Sequence, residues 1–172
     1  MKLARSFFLL FVLATAAAVE VALLGPIGLP GATPPLVMIL VLSASIRRTP
    51  NRAALVGFVA GIIVDAMPSS VTPLGVSAFA FALMAYVISN IRDLMIGSVG
   101  LPLIAAAVTG GLVPLVQQFQ MSLIGADFSR SEPLLVVLIT SALYAVMLST
   151  IVLPALAWLE ERFSPRNSSF VR

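Results

Sequence analysis

Neither cysteine nor histidine occurs anywhere in the 172 residues of this chain. The first absence removes disulfides and thiolate chemistry, and the second removes imidazole acid–base catalysis. Together they exclude haem ligation and zinc sites built on Cys or His. Charge is scarce as well: 10% of residues are charged against 60% apolar, and the mean hydropathy is +1.11. A core of this size cannot hide so much apolar surface, so the surplus must face lipid. The net charge of +3 comes from basic residues in short connections between apolar runs. That pattern orients membrane segments, and no nucleic-acid partner is expected from it. Ser and Thr are frequent, but without His or an intramembrane Lys nothing activates one as a nucleophile. No enzymatic activity, cofactor or metal is expected.

Breaks in the apolar pattern define six segments, at 6–24, 30–46, 53–67, 73–90, 98–119 and 133–160. They are continuously apolar where strands of a membrane barrel would alternate, so each reads as a helix. The expected fold is all-α, a single polytopic domain over 1–172 with six transmembrane helices. Crossing a hydrocarbon core of about 30 Å takes about 20 residues, so segments two to four are short and must tilt or thin the bilayer. Thr33-Pro34, Thr72-Pro73 and Glu132-Pro133 mark the starts of the even-numbered segments, where a first helical turn has no use for an N–H.

Nine of the ten basic residues fall on one side of that layout: Lys2, Arg5, Arg47, Arg48, Arg52, Arg92, Arg162, Arg166 and Arg172, leaving Arg130 on the other. By the positive-inside rule both termini are cytoplasmic. The outer connections carry only Asp127, Arg130 and Glu132 as charges. The start, "MKLARSFFLLFVLATAAAVE", resembles a secretory signal, whose cleavage would leave five spans. Apolarity resumes at once with "VALLGPIGL", and loss of the segment would break an even-numbered topology, so retention is expected.

Gly57, Gly61 and Asp65 recur at i, i+4 and i+8 and share one face of the third segment. Two glycines four apart admit another backbone, as in small-xxx-small packing. An ionised carboxylate in hydrocarbon costs about 2.5–3.5 kcal/mol, so Asp65 needs a partner. One role is to tie the third and fourth segments together. The turn "PSSVTP" brings a helix N-terminus close to it, with Ser69, Ser70 and Thr72 as added donors. The other is a ligand, ion or proton site. Glu20, Gln117, Gln118 and Gln120 lie in the same outer half; they either converge on a cavity for a small polar ligand or reach headgroups and water. Arg47, Arg48 and Arg52 form an inner basic loop, an orientation signal and a candidate contact for anionic lipid or a cytoplasmic partner. Arg92 and Asp93 read as a solvated pair. Tyr86, Trp158, Phe7 and Phe8 suit an aromatic belt.

Residues 54–92, "ALVGFVAGIIVDAMPSSVTPLGVSAFAFALMAYVISNIR", resemble the bacterial rod-shape-determining MreD family in a Gly-Phe-x-x-Gly-x-x-x-Asp helix, a small-residue turn with Pro-Leu-Gly, and an apolar helix ending in a basic residue. The resemblance implies a non-enzymatic scaffold of the cell-wall elongation machinery in the bacterial cytoplasmic membrane, with Gly57, Phe58, Gly61, Asp65 and Gly75 at signature positions. It implies as partners an MreC-like single-span protein, the actin-like MreB, a RodA-like glycosyltransferase and a class B penicillin-binding protein, in organising peptidoglycan synthesis. The family is also similar in architecture to substrate-binding subunits of energy-coupling-factor vitamin transporters. That function is the alternative, with Ala16–Ala18 as its docking hint.

Overall fold

The computed structural model describes residues 2–24, 31–67, 73–95, 98, 100–125 and 133–163. Every regular element among them is helical: α1 Lys2–Val19, continuing into a π-helical turn Glu20–Leu24, α2 Leu36–Ile46, α3 Pro50–Asp65, α4 Val76–Asn90, α5 Arg92–Met95, α6 Gly100–Ile124 and α7 Leu134–Phe163. All six apolar segments are helices, with shifted ends and one short helix, α5, inserted between the fourth and fifth.

The shifts have local causes. Gly31 is left-handed at φ 87°, and Pro34-Pro35 follows it, so α2 starts at Leu36 and not at 30. Gly75, at φ 105°, holds the start of α4 back to Val76, leaving Pro73 outside the helix. Pro50 takes the first position of α3, where its missing N–H costs nothing, and the helix begins three residues earlier than 53. The strong helix formers Gln117 to Leu123 carry α6 on to Ile124, past the expected end at 119.

α2 lies at the centre. It touches every other helix, and Val37, Met38, Ile39, Val41, Leu42, Ser43 and Ser45 are buried. A helix apolar on all sides suits that place. The two most extensive interfaces are the hairpins α3–α4 and α6–α7. One core cluster joins Leu13, Ala16 and Ala17 of α1 to Val37, Met38 and Val41 of α2 and to Ala53, Ala60, Ala80, Phe81, Met84 and Ala85 of the first hairpin. A second joins Leu42, Ile88 and Met95 to Ala105 and Ala106. Alanine dominates where helices pass closest, because a small side chain lets the axes approach.

The outside is apolar too. α6 over Gly100–Ile124 and α7 over Leu134–Ala155 are long and apolar enough to cross a bilayer, and only 33% and 22% of their apolar windows are buried. Leu135, Ile139, Leu143, Met147 and Ile151 stand exposed at every fourth position of α7, and Ile104, Val108, Leu112, Leu115, Phe119 and Leu123 stand exposed at every third or fourth position of α6. Continuous exposed stripes of this kind have no counterpart in a water-facing helix and belong in lipid. The chain is a membrane protein. α2, at 11 residues, covers only about 16 Å. Tyr86 is exposed near the end of α4, while Trp158, Phe7 and Phe8 lie outside the residues whose side chains are described.

Candidate functional site

The first turn of any α-helix leaves N–H groups without intrahelical acceptors, and the residue before the turn normally supplies an oxygen. α4 has Gly75 in that position, with no side chain to offer. Asp65, the last residue of α3 and only 7% exposed, takes over the task. Its Oδ2 accepts from the N–H groups of Gly75 at 2.8 Å, Ser77 at 3.1 Å and Ala78 at 3.3 Å. Three donors and the positive end of the helix dipole thus meet a carboxylate that would otherwise be costly to bury. Ser69, Ser70 and Thr72, expected as further donors, lie outside the described residues.

The same device recurs one hairpin earlier. α2 is preceded by Pro35, which makes no side-chain cap. Glu20, at the π-helical turn beyond α1, reaches across: Val37 N–H donates to its Oε2 at 2.8 Å, and Leu36 N–H bonds the same carboxylate. The two acids lie at equivalent ends of successive helix pairs and do the same job. Sequence reasoning singled out both but missed this equivalence. The available signal was that Pro35 and Gly75 cannot cap the helices they precede.

The glutamines of α6 divide. Gln117 Nε2 donates to Ser77 Oγ at 3.0 Å, and Gln120 Nε2 donates to the Val76 carbonyl at 3.3 Å, so both join the Asp65 cluster through the first turn of α4. Ser77 links the carboxylate to the glutamine. Gln118 Oε1 is buried with no hydrogen-bond partner among the described residues. Of the polar side chains at this end, Glu20, Asp65, Gln117 and Gln120 thus bond the first turns of α2 and α4.

Behind Asp65 runs a seam of close approach. A Cβ on Gly57 would sit 2.5 Å from the Phe81 carbonyl oxygen, and one on Gly61 would collide with the backbone of Ala78. Both glycines face α4, and Phe58, between them in sequence, is exposed on another side of α3. Gly110 plays the matching part in the second hairpin: a Cβ there would meet the Ala145 methyl at 2.6 Å and the Ser141 carbonyl at 2.9 Å. The Gly110-Gly111 pair was not singled out from the sequence.

At the far end of α3, about 24 Å from Asp65 along the helix, the Arg48 carbonyl accepts from Ser89 Oγ at 2.5 Å and from Arg92 Nη1 at 2.7 Å. Arg48 turns its own Nη1 back to the Ala44 carbonyl at 2.7 Å, closing the end of α2. Arg92 is thus more than half of a solvated pair: it keeps Asp93 at 3.5 Å but also pins the α2–α3 turn. Arg47 and Arg52 are exposed. Asp127, Arg130 and Glu132, the charges expected on the opposite side, lie outside the described residues.

A family model described as rod shape-determining protein MreD matches residues 1–159. No curated protein and no solved structure matches the chain.

Proposed function

We propose the function of this chain from one premise: it belongs to the rod shape-determining protein MreD family, whose model spans nearly its whole length. Membership ties it to the determination of rod shape. The finer reading is a non-enzymatic scaffold with six membrane spans and both termini in the cytosol of a bacterium, part of the cell-wall elongation machinery. It holds an MreC-like single-span protein against one of its helix faces and so helps to organise peptidoglycan synthesis together with MreB, a RodA-like glycosyltransferase and a class B penicillin-binding protein.

The family match carries this reading, and the fold is compatible with it. Capped helix ends and glycine seams make two stiff hairpins, and exposed apolar faces on α3, α4, α6 and α7 offer a lipid-embedded helix somewhere to pack. No observation favours the vitamin-transporter alternative. The test is mild solubilisation of the tagged chain from its own cells. Co-purification of a one-span MreC-like protein, with rounding of cells on depletion, is the expected result. Rod-shaped depleted cells and no such partner would end the proposal.

A further inference from the structure

The start of α2 lies deeper in the bundle than the outer ends of its neighbours. α2 covers about 16 Å and α3, which rises from the turn after it, about 24 Å, so Leu36 stands about 8 Å below the level at which α3 ends. The contact made by Gly31 gives the same depth independently. A Cβ there would collide with Thr140, which lies about 9 Å along α7 from Leu134, where that apolar span begins. At this height Ile139 and Leu143 of α7 are exposed on its lipid-facing side. Residues 31–35 are therefore non-helical backbone at the depth of the hydrocarbon layer. Thr33 is exposed there, and among the described residues no hydrogen bond reaches the N–H or C=O of Gly31, Ala32 or Thr33. The neighbouring Thr140 hydroxyl is no donor to them, because it bonds the Val136 carbonyl of its own helix at 2.7 Å.

We infer that water fills a vestibule above α2, open to the outer face of the membrane and ending at residues 31–35. Irregular backbone with unpaired N–H and C=O groups does not persist against lipid. At this depth it is stable only inside protein or against water, and the exposure of Thr33 selects water. Pro34 and Pro35 reduce the demand, since neither has an N–H to satisfy. The vestibule is blind. Beneath it Val37, Met38, Val41 and Leu42 of α2 are buried among the surrounding helices and leave water no path to the cytosol. The Glu20 carboxylate, bonded to the Val37 N–H, closes the floor. A bilayer thinned over the short helix would wet residues 31–35 as well, but it would equally wet the outward side of α7 at the same height. From the six-span reading the inference takes only the side on which the vestibule opens.

Single cysteines in the full chain, which has none of its own, test this in intact cells and in inverted membrane vesicles with a charged, membrane-impermeant thiol reagent. The variants are Thr33→Cys, Ile139→Cys, Leu143→Cys and Met38→Cys. Thr33, Ile139 and Leu143 are exposed, so those three substitutions remove no buried contact. An apolar surrounding withholds the reactive thiolate, so Thr33→Cys should react at least about tenfold faster from outside than the other three. Nitroxide labels at positions 33 and 139 give a second readout that thiol ionisation does not affect. A water-soluble paramagnetic relaxer should reach the first, and dissolved oxygen the second. Equal reaction at Ile139→Cys and Leu143→Cys would assign the wetting to a thinned bilayer and overturn the inference, and reaction at Met38→Cys would replace the blind vestibule with a pore. Silence of Thr33→Cys from both sides would overturn the vestibule and leave the scaffold reading intact. Reaction of Thr33→Cys confined to inverted vesicles would overturn the outward opening and the six-span orientation together.

Discussion

Asp65 shows how a single acid can be tolerated, and even required, among apolar helices. Three N–H groups of a helix that begins after a glycine have no other side chain of their own to accept them. Asp65→Ala would orphan those donors in a buried site and should destabilise the protein by about 2–3 kcal/mol, read as a lower Tm in mild detergent. Asp65→Asn keeps one acceptor but loses the charge, and should fall between the two. A wild-type Tm in both variants would remove Asp65 from the list of structural residues. The neighbouring glycines of α6 offer a sharper contrast. A methyl on Gly110 meets Ala145 and the Ser141 carbonyl, whereas on Gly111 its nearest neighbour is 3.7 Å away. Gly110→Ala should cost about 1–3 kcal/mol, and Gly111→Ala should be neutral or stabilise by up to about 1 kcal/mol. The same thermal melts check both.

At the scale of the element, α2 is the most dependent helix. It has 11 residues, too few for a stable isolated helix, and is preceded by a proline that cannot cap it. Burial of most of its surface and the Glu20 carboxylate hold it in place. Glu20→Ala should therefore speed hydrogen exchange at the Val37 amide and the turn that follows, leaving the first turn of α4 at its wild-type rate because Asp65 still caps it. Equal acceleration at both helices would mean that the two caps act as one unit. The starts of α2 and α4 were also where reading the sequence erred. Proline and glycine announced a boundary near Pro34 and Pro73, but the φ of Gly75 and the paired prolines before Leu36 decided which residue began the helix.

For the whole molecule, the arrangement is two close hairpins around a central short helix, with apolar side chains on both the inside and the outside. The charge asymmetry along the chain puts the Arg47–Arg52 turn in the cytosol on the six-span reading. Cysteine labelling checks this directly, since the chain has none to remove. A single cysteine at Thr49 should be blocked only by membrane-permeant reagents in intact cells, and one at Pro73 should react with impermeant ones. Labelling of Thr49 from outside would overturn the orientation.

Composition and the spacing of apolar runs were enough to determine a helical membrane protein, because a chain 60% apolar with so few charges has no other way to satisfy its backbone in lipid. The face shared by Gly57, Gly61 and Asp65 was legible as well, since helical periodicity alone aligns them. That Asp65 could reach the start of α4 was legible too, from the short turn between them. Tertiary structure alone decided the longer pairings, of Glu20 with α2, of Gln117 with Ser77 and of Arg92 with the Arg48 carbonyl, which join residues 17 to 44 positions apart. Local pattern carries no information about such pairs. They follow from which helix ends come together when the hairpins pack, and from the need of each orphaned donor for the nearest oxygen.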